Sequence, residues 1–324
     1  MKAIVQDTYG QADEVLRLEE IGRPEIDADE VRVRVHAAGV DRGVWHLMAG
    51  LPYPVRLAGY GVRAPKNRVR GTDVAGVVEA VGVDVTSVAP GDEVFGFAQG
   101  SFADFAIAPA DKLAPKPKNL SFVQAAAVPV SAVTALQAVR DHGKIQAGQQ
   151  VLILGASGGV GSYAVQIATA FGAEVTGVCS TGKVDLVKSL GAEHVIDYTR
   201  GDLPSDDTTY DVILDIGGNR ALRTLRRLLR TDGRLVIVGG ETDGKWLGGS
   251  DRQMRGLMLT PFVSQTLRTF VCSENREDLV VLTDLIESGK VIPAVDRTFS
   301  LDQTPAAIAY VTEGRARGKV VIDV

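Results

Sequence analysis

The run from Gln150 to Gly161 carries the most pointed chemistry in the chain. Aliphatic residues Val151, Leu152, Ile153 and Leu154 break into glycines at 155, 158, 159 and 161, and a helical pattern resumes at Tyr163. This reads as strand, tight turn and helix. Glycines lack a Cβ and tolerate unusual dihedrals, so the backbone N–H groups of such a turn can approach an anion closely. The first helical turn adds its own unpaired amides. The chemistry expected of Gly155, Ser157, Gly158, Gly159, Val160 and Gly161 is therefore that of a pyrophosphate cradle. The spacing is G-x-x-G-x-x-G, one residue longer than the common dinucleotide fingerprint, and context must support it.

The next informative place is the end of the following strand. Where NAD is the cofactor, an acidic residue roughly 20 positions beyond the glycines accepts hydrogen bonds from the adenosine ribose. Here that strand ends Val178-Cys179-Ser180-Thr181-Gly182-Lys183, with no acid. Ser180 and Thr181 offer hydroxyl donors, and Lys183 offers an ammonium to a 2′-phosphate, so NADP(H) is favoured.

The elements that must position these groups alternate in type. Strands are expected at 150–154, 174–179, 194–197, 211–216 and 233–239, with helices near 163–171, 183–190 and 221–229. Such alternation implies right-handed crossovers and a doubly wound parallel sheet. Before it, residues 1–119 read as short strands broken by glycine and proline, a barrel or sandwich pattern. Ser121 is a plausible N-cap for an alanine-rich helical stretch reaching Val139, interrupted by Pro129. Strand patterns recur at 266–272, 292–299 and 319–324. Residues 51–70 form a long basic loop, with Arg56, Arg63, Lys66, Arg68 and Arg70 and no acid.

Composition bounds the rest. The 324 residues are 45% hydrophobic and 23% charged, ordinary for a soluble two-domain enzyme, with a formal net charge of −5. That sign argues against a broad nucleic-acid or anionic-membrane surface. No secretory signal and no run long enough to span a membrane are read. Cys179 and Cys272 are far apart, which fits a reducing cytoplasm.

Taken together the chain resembles the medium-chain dehydrogenase/reductase superfamily, in its zinc-independent quinone-oxidoreductase branch, which includes zeta-crystallin-like proteins. The motifs are Ala38-Gly39-Val40-Asp41 with Trp45 and Gly50, Gly71-Thr72-Asp73-Val74-Ala75-Gly76, Pro129 with Val133-Thr134-Ala135, the glycine turn, Lys183 with Tyr198, and Gly314-Arg315-Ala316-Arg317-Gly318-Lys319-Val320-Val321. The resemblance implies an α/β fold in which a Rossmann NADP-binding domain (122–272) is inserted in a GroES-like β-barrel catalytic domain (1–121 and 273–324). It implies a cleft with nicotinamide at its base. Thr134, Gly239, Gly240, Phe270 and Cys272 would approach the nicotinamide, and Ser180, Lys183 and Tyr198 the adenosine phosphate. Arg315 would close over the cofactor, with Arg317 and Lys319 competing for that part.

Zinc-dependent relatives look to carry a cysteine and a His-Glu pair where this chain has Asp41 and Thr72-Asp73, so no metal is expected. Without that Lewis acid, hydride transfer to a quinone or conjugated enone is easier to explain than reduction of a simple ketone. Asp41, His46 and Tyr53 are the candidate proton donors. Asp41 has a second reading, as the cap of a turn. The expected partners are a small-molecule quinone or enone and a second copy of the chain in a homodimer. The alternatives are an enoyl-thioester reductase and an NADPH-binding regulatory or RNA-binding protein.

Overall fold

The computed structural model describes residues 1–203, 208–218, 220–239, 244 and 246–324. In chain order the elements are β1 (Lys2–Val5), α1 (Ala12–Val15), β2 (Arg17–Glu20), β3 (Glu30–Val40), α2 (Arg42–Ala49), β4 (Asp73–Val81), β5 (Glu93–Phe97), β6 (Phe105–Pro109), β7 (Leu113–Pro115), α3 (Phe122–Ala126) and α4 (Pro129–Gln137). Then come β8 (Gln150–Leu154), α5 (Gly159–Ala170), β9 (Glu174–Cys179), α6 (Val184–Ser189), β10 (His194–Asp197), β11 (Tyr210–Asp215), α7 (Leu222–Arg227), β12 (Leu229–Ile237), α8 (Ser250–Leu259) and β13 (Thr266–Thr269). The chain finishes with α9 (Arg276–Glu287), β14 (Val295–Ser300), α10 (Thr304–Thr312) and β15 (Lys319–Asp323).

These elements form two compact units. One comprises residues 1–133, 274–289 and 293–324, and the other 134–273 and 290–292. The division falls inside α4, not at the expected 121/122. The reason is local: α3 packs on β3 and β4, so its alanines belong to the first unit's core.

In the first unit the strand order is β14-β15-β3-β4-β5-β7, with β6 also paired to β3. The eleven residues of β3 serve three neighbours: its first half pairs with β6, its middle with β4 and its last residues with β15. Register shifts at Arg32/Val33 and Val35/Ala37 bend it, which lets one long strand follow a curved sheet. Val31, Val33 and Val35 alternate inward, as their spacing requires, against Val74, Val94 and Phe102. The 51–70 stretch is not wholly irregular: Arg56–Tyr60 forms a short π-helical turn kinked at Ala58 and Gly59.

The second unit holds a fully parallel sheet in the order β10-β9-β8-β11-β12-β13. Order reverses between β8 and β11, the place where such sheets receive ligands outside the strands' carboxyl ends. Val151, Leu152, Ile153, Ile213 and Leu214 are wholly buried, as strands covered on both faces demand. The alanine-rich stretch is two helices. Ser121 caps α3 in a capping box with Gln124, and Pro129 opens α4, where its missing N–H costs nothing. The expected strand at 266–272 stops at Thr269, because Phe270 leaves the sheet to stack on His142 at 4.1 Å between ring centroids. No helix among the described residues is long and apolar enough to cross a membrane.

Candidate functional site

The glycine turn leaves β8 at the switch point. Gly155 has φ +79°, which an L side chain rarely adopts, and a Cβ on it would sit 2.9 Å from the Gly217 nitrogen. Gly161 is glycine for another reason: a Cβ there would lie 2.0 Å from the Gly155 carbonyl oxygen, so helix and turn could not close. Gly158 differs from both. Its φ of −85° suits any residue, and a Cβ would meet nothing nearer than the Gly155 oxygen at 3.5 Å. Nothing among the described residues requires a glycine there. Its open side leaves the backbone accessible, as close approach of a pyrophosphate would need. Ser157 is buried in the turn, and Gly159, Val160 and Gly161 form the first turn of α5, whose amides face out of the helix start.

At the carboxyl ends of β9 and β10 the structure gathers Ser180, Thr181, Lys183 and Tyr198. Asp197 pairs with Cys179 in the sheet, and the Tyr198 N–H donates to the Cys179 carbonyl at 3.1 Å. Tyr198 is half exposed, Ser180 and Lys183 partly so. Thr181 behaves differently from expectation. Its hydroxyl donates to Asp197 Oδ2 at 2.6 Å, and Thr199 donates to Oδ1 at 2.7 Å, so the Thr181 proton is already given away. These hydrogen bonds hold the Asp197 carboxyl below its ordinary range. An acid does stand beside Thr181, supplied by β10 and not by the end of β9.

Thr134 lies partly buried on α4. Gln137, one helical turn on, exchanges hydrogen bonds with the Ser273 backbone, at 2.8 Å to its oxygen and 3.0 Å from its nitrogen. With the His142–Phe270 stack, this ties the 270–273 segment to the end of α4 and the turn that follows it. Gly239 donates to the Asp215 carbonyl, and a Cβ there would lie 2.2 Å from the Ile216 oxygen. Gly240 lies outside the described residues.

In the first unit, Arg315 is exposed, paired with Glu313 and set over the Tyr310 ring at 5.2 Å. Lys319 is excluded from closing over a cofactor, because it is buried against Asp73. Asp41 is the N-cap of α2: its Oδ1 accepts from the Val44 N–H at 3.2 Å, while its buried Oδ2 has no partner. His46 Nδ1 meets the Leu51 carbonyl at 2.8 Å, and Arg56 stacks over Tyr53 at 4.9 Å. Asp41 caps the start of α2, and His46 lies five positions on within it. Among the described residues, no three of His, Cys, Asp and Glu come together as a metal-ligand set.

A pocket of about 330 Å³ lies within this unit, between α2, the basic loop and the Gly71–Thr72 and Gln99–Gly100 turns. Val44 and Leu47 of α2 line it; Asp41, His46 and Tyr53 do not.

Two family models match. Residues 27–118 match the alcohol dehydrogenase GroES-like domain, and 190–322 match a zinc-binding dehydrogenase domain. The chain is 34% identical to the mouse mitochondrial NAD(P)H oxidoreductase RTN4IP1, over 100% of this chain and 89% of the relative. It is also 34% identical to the chloroplastic NADPH-dependent alkenal/one oxidoreductase of Arabidopsis thaliana, over 99% of this chain and 79% of that one. The structure of Escherichia coli quinone oxidoreductase complexed with NADPH superimposes with a TM-score of 0.85 at 25% identity, covering all of both chains. A sheet reversing at a glycine turn, a GroES-like unit formed from both chain ends, and full-length relatives of this kind lead to one conclusion: the chain belongs to the medium-chain dehydrogenase/reductase superfamily, among its quinone and enone oxidoreductases.

Proposed function

We propose that the chain is an NADPH-dependent reductase that delivers hydride to a quinone or an α,β-unsaturated carbonyl without zinc. The observation that carries this reading is the glycine turn at the β8/β11 switch point, where the open side of Gly158 leaves room for a pyrophosphate. When bound, the nicotinamide supplies the hydride. The chain's own groups bind and orient: α5 presents its first amides to the pyrophosphate, and Ser180, Lys183 and Tyr198 supply donors and one positive charge to the 2′-phosphate end. Thr181 serves the turn through Asp197. Thr134, Gly239, Phe270 and Cys272 are assigned to the nicotinamide end, and Arg315 to closing over the cofactor.

The donor chemistry supports a metal-free site. Asp73 is engaged by Lys319 and the Val130 N–H, and Asp41 by its own helix cap. A quinone or enone needs no Lewis acid, because its conjugated system spreads the charge that hydride brings. Asp41, with one buried oxygen unpaired, is the foremost of the three candidate proton donors. The proposal extends to a homodimer through β13, the outer strand of its sheet, and to a reducing compartment such as the cytoplasm, given two free cysteines.

NADPH oxidation assayed with 1,4-naphthoquinone and 2-alkenals tests the reading. Turnover faster with NADPH than NADH, unaffected by a zinc chelator, is expected. Tight NADPH binding with no turnover of any such acceptor would overturn it.

A further inference from the structure

Of the five cations in the 51–70 stretch, two have clear work. Arg56 donates to the Gly50 carbonyl and stacks on Tyr9 and Tyr53, and Arg68 pairs with Asp7 and Glu19. Arg70 is another matter. It is 6% exposed, no carboxylate among the described residues pairs with it, and its buried Nε has no hydrogen-bond partner. Desolvation lowers its pKa from the ordinary arginine value. A buried guanidinium left so costs several kcal/mol unless something offsets it. Buried arginines are found paired, so the missing partner is informative.

Arg70 lines the 330 Å³ pocket, and so does Lys66, an exposed lysine also without an acidic partner. Asn67, Thr72 and Gln99 add neutral polar groups. The one acid on the lining, Glu274, is held by Lys112 at 3.0 Å. Beside the same wall, the buried Ser101 hydroxyl is also unpartnered, next to Gly71. The pocket is thus net positive and of small-molecule size.

We infer that this pocket is an oxyanion site, in which Arg70 and Lys66 bind a carboxylate or phosphate group. The group is either part of the acceptor substrate or a free inorganic anion. In the first case the assignment rests on the reductase reading, and in the second it does not.

The test uses the whole chain, 4-oxopent-2-enoate and its neutral methyl ester as acceptors, and inorganic phosphate as the free anion. Arg70→Met and Arg70→Lys are compared, with exposed Lys66→Met as a variant less burdened by folding effects. If the acceptor carries the anion, the wild type favours the acid over the ester by about tenfold in kcat/KM. Arg70→Met abolishes that preference, Arg70→Lys keeps part of it, and Lys66→Met lowers it by a few-fold. If the anion is free, calorimetry shows phosphate binding that Arg70→Met weakens at least about tenfold, with acid and ester reduced alike. Phosphate binding that depends on Arg70, in a protein that reduces neither enone, would retain the site and sink the reductase. Equal phosphate binding, or none, in wild type and Arg70→Met, with no preference for the acid, overturns the inference.

Discussion

The Lys319 ammonium lies 3.1 Å from Asp73 Oδ2, with both side chains shut away from solvent. The two residues are 246 positions apart, at the starts of β15 and β4. Lys319 also donates to the Ser131 hydroxyl at 3.1 Å, and Asp73 Oδ1 accepts the Val130 N–H at 2.9 Å. One carboxylate therefore ties the unit's first and last segments to the opening turn of α4.

Breaking this pair from one side leaves a buried charge with no counterpart. Lys319→Met is expected to destabilise by about 3–5 kcal/mol, read from urea unfolding, whereas the double change with Asp73→Asn recovers much of that loss. A single-variant cost under about 1 kcal/mol would mean that water reaches the pair.

The same carboxyl sets a pH dependence. Burial pushes Asp73 up to about 6, against the pull of Lys319 and with Asp41 adding to the rise. The folded value lies above the unfolded one, so this contribution is whole below about pH 4 and is lost as pH rises through about 6. The stability difference between wild type and Asp73→Asn should fall across that window and flatten above it. A difference that grows with pH would reverse the assignment.

Gly158→Val places a branched side chain in space the protein itself leaves empty. Folding should change little, since φ is −85° there, while NADPH and NADH affinity both drop by well over tenfold. Unchanged affinity measured by fluorescence titration would move the pyrophosphate elsewhere.

Lys183→Ala removes the cation between Ser180 and α6, leaving Arg200 on Asp197. NADPH binding should weaken roughly tenfold more than NADH binding, the worth of about one charge-assisted contact. An equal loss for both cofactors would take Lys183 out of the 2′-phosphate site.

What could be read from sequence was local. The glycine turn, the Ser121 cap and the Asp41 cap each depend on residues within a few positions, and each stands in the structure. What escaped were pairings across distance. From sequence, Lys319 competes with Arg315 for closing over the cofactor, because nothing beside it names Asp73 as its partner. Asp197 came to Thr181 from the adjacent strand, 16 positions on, so a search for an acid after β9 could not find it. Arg70 sat among four other cations, and only its burial sets it apart.

The place of β15 in its sheet has a further consequence. It lies between β14 and β3, an inner strand supplied by residues 319–323. On a ribosome, the parallel-sheet unit has all but three of its residues available by position 273, while the first 133 residues still await their closing strand. Assembly thus runs out of chain order, with the parallel-sheet unit able to complete before residues 319–323 reach the other unit's sheet.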